Sequence, residues 1–131
     1  MKILFMCVAN SARSQMAEAL ARSMAPPGVE IFSAGSAPTN VRPEAVAVME
    51  ELDLDLSAHR SKGIDDLPVE EMGLLVTLCA DEVCPIVPGL KREHWPFPDP
   101  AMSSNIPWEE RLASFRSVRD QIRVRLELFF S

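Results

Sequence analysis

The chain has 131 residues, 47% of them hydrophobic, and a formal net charge of -6. Such a length suits a single domain over residues 1–131 with one core, and the acidic balance argues against nucleic acid or an anionic membrane as partner. No apolar run approaches the roughly 20 residues of a membrane span, and no signal-peptide pattern precedes the first strand, so a cytoplasmic protein is expected.

Lys2-Ile3-Leu4-Phe5-Met6-Cys7 reads as a short buried strand. Residues 14–24 read as an amphipathic helix with Met16, Ala17, Leu20, Ala21 and Met24 on one face, ended by Pro26-Pro27-Gly28. Residues 29–33 form a second strand, closed by Ala34-Gly35-Ser36. Pro43 occupies a favoured first helical position, and that helix runs to about Leu52. Residues 57–63 read as a loop, and residues 74–78 as a strongly apolar third strand ending at Cys79. A short fourth strand or extended segment falls within 93–97, followed by a proline-rich loop over 96–100. Residues 107–130 read as a long helix whose core face carries Leu112, Phe115, Val118, Ile122, Leu126 and Phe129. Strands alternating with helices imply an α/β protein with a parallel sheet, and such sheets bind ligands at the carboxyl ends of their strands.

The densest chemistry lies in Cys7-Val8-Ala9-Asn10-Ser11-Ala12-Arg13-Ser14. A thiol at a strand end is followed by a loop of small residues that opens onto a helix N-terminus. Free N–H groups and the helix dipole favour an oxyanion there. The same field, with Arg13, favours the thiolate of Cys7. The loop over Val8, Ala9, Asn10, Ser11 and Ala12 is long enough to wrap a tetrahedral anion, and Arg13 can clamp two of its oxygens. Ser14 can donate a hydroxyl hydrogen to the Cys7 sulfur. Asn10 is of a type that tolerates left-handed backbone angles. A buried, inert Cys7 is the plain alternative, but the Cys-x5-Arg-Ser spacing supplies everything a thiolate nucleophile needs.

Cys79-Ala80-Asp81-Glu82-Val83-Cys84-Pro85 is a second constellation. A Cys79–Cys84 disulfide requires the loop to bend until the α-carbons lie within roughly 7 Å. A metal site using Cys79, Cys84 and His94, or two unrelated buried thiols, are the competing readings. Cys7 and Cys79 both end strands, so they share one edge of the sheet, and Asp99 can reach the same edge.

These segments together, from Cys7 to Glu18, Val76 to Pro85 and His94 to Pro100, resemble the thioredoxin-coupled arsenate reductases. That family shares the fold and anion loop of the low-molecular-weight protein tyrosine phosphatases. The resemblance implies a three-layer, flavodoxin-like doubly wound fold around a four-stranded parallel sheet. It also implies a cofactor-free reaction in three thiol steps. Cys7 attacks arsenate held by the loop and Arg13, with Asp99 as general acid. Cys79 attacks the Cys7 sulfur and releases arsenite. Cys84 then attacks Cys79, leaving a Cys79–Cys84 disulfide for thioredoxin. Phosphate or sulfate should mimic the substrate, and a monomer is expected.

Departures from the family pattern are informative. Ala12 stands where some members carry a further cysteine that the relay does not need. Some members bind potassium beneath the loop at positions matching Asn10, Glu18 and Ser33, with an aspartate where this chain has Lys62. The Lys62 ammonium is expected to replace that cation and pair with Glu18, unless Lys62 is simply a solvated loop residue. The chain has no tyrosine, so the aromatic wall of a phosphotyrosine pocket is not evident. Trp95 and Phe97 read as core aromatics, and His59 and His94 as structural. Two rivals remain: a phosphatase using Cys7, Arg13 and Asp99 without the relay, and a non-catalytic redox or oxyanion-sensing module.

Overall fold

The computed structural model describes residues 1–79 and 88–131. Four strands, β1 (Lys2–Cys7), β2 (Glu30–Gly35), β3 (Leu74–Thr77) and β4 (Arg92–His94), form one sheet in the order β2-β1-β3-β4, and every pairing is parallel. Three α-helices connect or follow them: α1 (Arg13–Met24), α2 (Pro43–Glu50) and α3 (Trp108–Phe129). This is the expected α/β architecture. Among the described residues no helix is long and apolar enough to cross a membrane.

Side-chain alternation along the strands divides the core. Ile3 and Phe5 of β1, Ile31 of β2, and Leu74 and Val76 of β3 join the buried residues of the three helices in one cluster. Leu4, Met6, Ala34 and Leu75 face the other way, onto Met72, with Ile64, Leu67 and Leu90 packed against them. That second layer is thinner than the first. Its described part includes two single turns of 3-10 helix, Ile64–Asp66 and Val69–Glu71, which the sequence pattern does not announce. Pro68 lies between them, and at three residues each they are too short to show helical periodicity.

Helix α3 buries Leu112, Phe115, Val118, Ile122 and Leu126, the spacing expected from the sequence, with Phe129 partly buried beside them. Trp95, just past β4, packs its ring 5.9 Å from Phe5 and 5.4 Å from Phe129, as a core aromatic should. Arg119 is nearly buried on α3 and reaches the end of α2, donating to the Val48 carbonyl at 2.8 Å and to Glu51 at 2.7 Å. Arg116 meets the same carboxylate through both of its oxygens' reach, at 2.9 and 2.6 Å.

The parallel register brings Cys7 opposite Gly35 and Met6 opposite Thr77, so the carboxyl ends of β1, β2 and β3 lie level. Cys7 and Cys79 therefore sit at the same edge, as expected.

The clamp on Glu51 gives the fold an acid-sensitive joint. Hydrogen bonds from Arg116 and then Arg119 lower the Glu51 carboxyl to about 2, against an ordinary 4.5. Because the folded value lies below the unfolded one, the stabilisation is complete above pH 4.5 and is lost as pH falls toward 2. Glu51→Gln should cost about 1 kcal/mol or less near pH 7, as for an exposed ion pair, and should flatten that acid limb in urea titrations. An unchanged acid limb in the variant would contradict this assignment.

Candidate active site

The loop between β1 and α1 is laced from outside. Ala37 N–H donates to the Val8 carbonyl at 2.9 Å, Thr39 N–H to Ala9 at 3.1 Å, and Arg42 N–H to Ser11 at 2.9 Å. A trans peptide places each carbonyl opposite the next N–H. Engaging these carbonyls on the 37–42 segment therefore turns the amides of Ala9, Asn10 and Ala12 the other way. Gly35 permits the loop to lie directly on β2. A Cβ at that position would meet the Val8 carbonyl oxygen at 2.4 Å and the Asn10 nitrogen at 2.8 Å, both backbone atoms that cannot swing aside. The sequence marks Gly35 only as a strand end, since nothing local reveals that the loop packs on it.

Asn10 is fully buried with φ 50, the left-handed conformation its residue type tolerates. Its side chain binds in three directions. Nδ2 donates to Ser14 Oγ at 2.7 Å, and Oδ1 accepts from Gln15 Nε2 at 2.9 Å and from the Lys62 N–H at 2.8 Å. Ser14 Oγ lies 2.9 Å from Cys7 Sγ. With Asn10 donating into Ser14, the serine hydroxyl hydrogen is available to the sulfur. The chain of contacts continues outward from Gln15 Oε1 to His59 Nδ1 at 3.0 Å. Burial pushes His59 below its ordinary value against the opposing pull of Glu18, so the ring is neutral at neutral pH. His94 is engaged by Thr77 Oγ1 at 2.6 Å. Both histidines thus have structural partners.

Arg13 is buried and spans two segments, reaching the Leu78 carbonyl at 3.4 Å and the Phe97 carbonyl at 3.0 Å. It joins the residue before Cys79 to the residue two before Asp99. A cavity of about 380 Å³ opens over the loop, lined by Cys7, Val8, Ala9, Ser11, Ala12, Arg13, Thr39, Arg42, Asp99 and Ala101. The sequence-derived nucleophile, clamp and acid therefore share one cavity. Asp99 is exposed at its rim, with Oδ1 accepting from the Ala101 N–H at 3.0 Å, and Ser114 on α3 ties the adjoining Pro100 carbonyl at 3.0 Å. Cys7 is a free, buried thiol. Cys79 is buried and disulfide-bonded, so its sulfur is not available to a metal. Cys84 lies outside the described residues, and with it the expected pairing.

Beneath the loop, Glu18 is buried and holds three partners. Ser33 Oγ donates to Oε1, Lys62 Nζ lies 3.6 Å from the same oxygen, and Arg22 Nη2 lies 2.6 Å from Oε2. Asn10, Glu18, Ser33 and Lys62, grouped in the sequence analysis only through the family resemblance, lie together here. Two cations already face this one carboxylate, so the residues present do not suit a potassium ion. Arg42 was not among the expected site residues. Its position on the cavity wall comes from the fold, not from any local motif.

Comparison with known proteins follows the same lines. The family model described as low molecular weight phosphotyrosine protein phosphatase matches residues 2–131. Arsenate reductase 2 of Staphylococcus saprophyticus is 42% identical over 98% of this chain and 95% of its own length. The crystal structure of an arsenate reductase from Archaeoglobus fulgidus superposes with a TM-score of 0.83 at 26% identity, covering 98% of each chain. A thioredoxin-dependent arsenate reductase of Corynebacterium glutamicum aligns with a TM-score of 0.64 at 26% identity, over 98% of this chain and 62% of that one. The chain belongs to the low molecular weight phosphotyrosine protein phosphatase family, in which its curated relatives are arsenate reductases.

Proposed function

We propose that the chain reduces arsenate to arsenite by a three-cysteine relay and that a thioredoxin returns it to the dithiol state. The observation that carries this reading is the cavity shared by Cys7, Arg13 and Asp99, with a second, redox-engaged cysteine, Cys79, at the same sheet edge. The identity with arsenate reductases supports the substrate, and the thioredoxin-dependent neighbour supports the reductant.

In this mechanism the loop amides and Arg13 bind the arsenate oxygens. The Ser14 hydroxyl, 2.9 Å from the sulfur, stabilises the Cys7 thiolate. Cys7 attacks arsenic and displaces one oxygen as water, with Asp99 supplying a proton. Cys79, as a thiolate, then attacks the Cys7 sulfur. The S–As bond breaks with its electron pair left on arsenic, which departs as arsenite, and a Cys7–Cys79 disulfide forms. Two thiols have thereby supplied the two electrons that As(V) accepts. Cys84 displaces Cys7 from Cys79 by thiol–disulfide exchange, and a dithiol reductant opens the resulting Cys79–Cys84 bond. The relay moves the oxidised pair away from a narrow anion cavity toward a protein partner.

A phosphatase would use the same cavity, with Cys7 forming a phosphocysteine and Asp99 protonating the leaving alcohol. Residue 84 separates the two. Cys84→Ser should allow about one arsenite per chain and then stall with thioredoxin present, while hydrolysis of a small phosphate ester should continue at the wild-type rate. Unimpaired multiple turnover of arsenate in this variant would contradict the relay.

The Lys62 ammonium takes the role that a potassium ion plays in some relatives, neutralising Glu18 beneath the loop. Potassium titration against a sodium background should therefore change kcat/KM by less than about 2-fold. Strong activation by potassium would contradict that role.

A further inference from the structure

Arg42 lines the cavity together with Cys7, Arg13 and Asp99, yet the relay gives it nothing to do. Its placement is firmly fixed. The backbone N–H is bound to the Ser11 carbonyl at 2.9 Å, so the residue moves with the anion loop. The guanidinium lies 5.9 Å from the Phe115 ring centroid. Nη2 donates to Glu44 Oε2 at 2.9 Å and to the Met102 carbonyl at 3.4 Å. Those contacts use one nitrogen of three. Nε is buried without a hydrogen-bond partner among the described residues, while the side chain as a whole is 34% exposed, so its charge is only partly spent on protein partners.

Charge strengthens the case. Glu44 is almost wholly buried and serves two arginines, Arg42 at 2.9 Å and Arg111 at 3.5 Å. Burial works against its carboxylate, but the Arg42 hydrogen bond and the nearby charge of both arginines outweigh that and hold it below the ordinary carboxylate range. The trio therefore keeps one positive charge in excess beside the cavity. Arsenate and phosphate carry between one and two negative charges at neutral pH. Arg13 supplies one positive charge against that total.

We propose that Arg42 is a second substrate-binding cation, contacting the bound oxyanion from the cavity wall and sharing its charge with Arg13. The proposal rests on reading this cavity as the arsenate site. The simpler alternative gives Arg42 only a structural part, tying α2 to the segment after Asp99. Arg111 distinguishes the two, because it shares Glu44 without lining the cavity.

The test uses the full-length reduced chain with inorganic phosphate as the probe, read as the phosphate-dependent rise in Tm, beside the KM for arsenate. Arg42→Gln should weaken phosphate binding about 10-fold, as loss of a charge-assisted contact does. It should raise the arsenate KM by a similar factor, with kcat altered less than about 3-fold. Arg42→Lys should fall between wild type and Arg42→Gln, and Arg111→Gln, which removes charge but no cavity-lining group, should lose distinctly less than Arg42→Gln in both readouts. Wild-type phosphate affinity and KM in Arg42→Gln, or equal losses in Arg111→Gln, would overturn the inference. If Arg42→Gln fails to fold, wild-type affinity in Arg42→Lys would overturn it equally. A wild-type chain that shows no phosphate affinity at all would instead sink the reading of the cavity itself, so the two failures are distinct.

Discussion

The site depends on one backbone conformation, the left-handed turn at Asn10. A non-glycine residue held there needs surroundings that over-determine it, and here they are plain. The buried amide of Asn10 ties Ser14 and Gln15 on α1 to Lys62 on the far side of β2, while its carbonyl accepts from Ser61 at 2.7 Å. The same amide that fixes the loop also turns the Ser14 hydroxyl toward Cys7. Loop shape and the direction of the Ser14 hydroxyl thus have a single cause.

Around that turn the protein arranges charge in two layers. Above the loop lies the cavity with Arg13 and Arg42 in its wall. Below it the buried Glu18 is balanced by Lys62 and Arg22. An unbalanced buried carboxylate so close to the cavity would repel the incoming anion and would itself be costly. The lysine beneath the loop and the arginines above it are therefore parts of one electrostatic solution, in a chain whose overall net charge is -6.

Much of this is legible in the sequence, because the decisive signals are local. The β1 run, the Cys-x5-Arg-Ser loop and the α3 stripe each show their purpose within a few residues, and strands alternating with helices imply parallel strands with a common carboxyl edge. What escaped is non-local. Gly35 matters because Val8 and Asn10 press on it from another segment. Arg42 matters because α2 begins at the cavity wall. The Gln15–His59 contact joins residues 44 positions apart. The turns over 64–71 are shaped by Pro68 and by packing on β1 and β3, and leave no periodicity to detect.

The relay itself is tested most directly by mapping thiols before and after arsenate. The chain is fully reduced, the reductant removed, arsenate added, and the protein alkylated in denaturant and examined by mass spectrometry. The account predicts the loss of two thiols, with a Cys79–Cys84 disulfide and an alkylated Cys7. Retention of all three thiols after arsenate would contradict it.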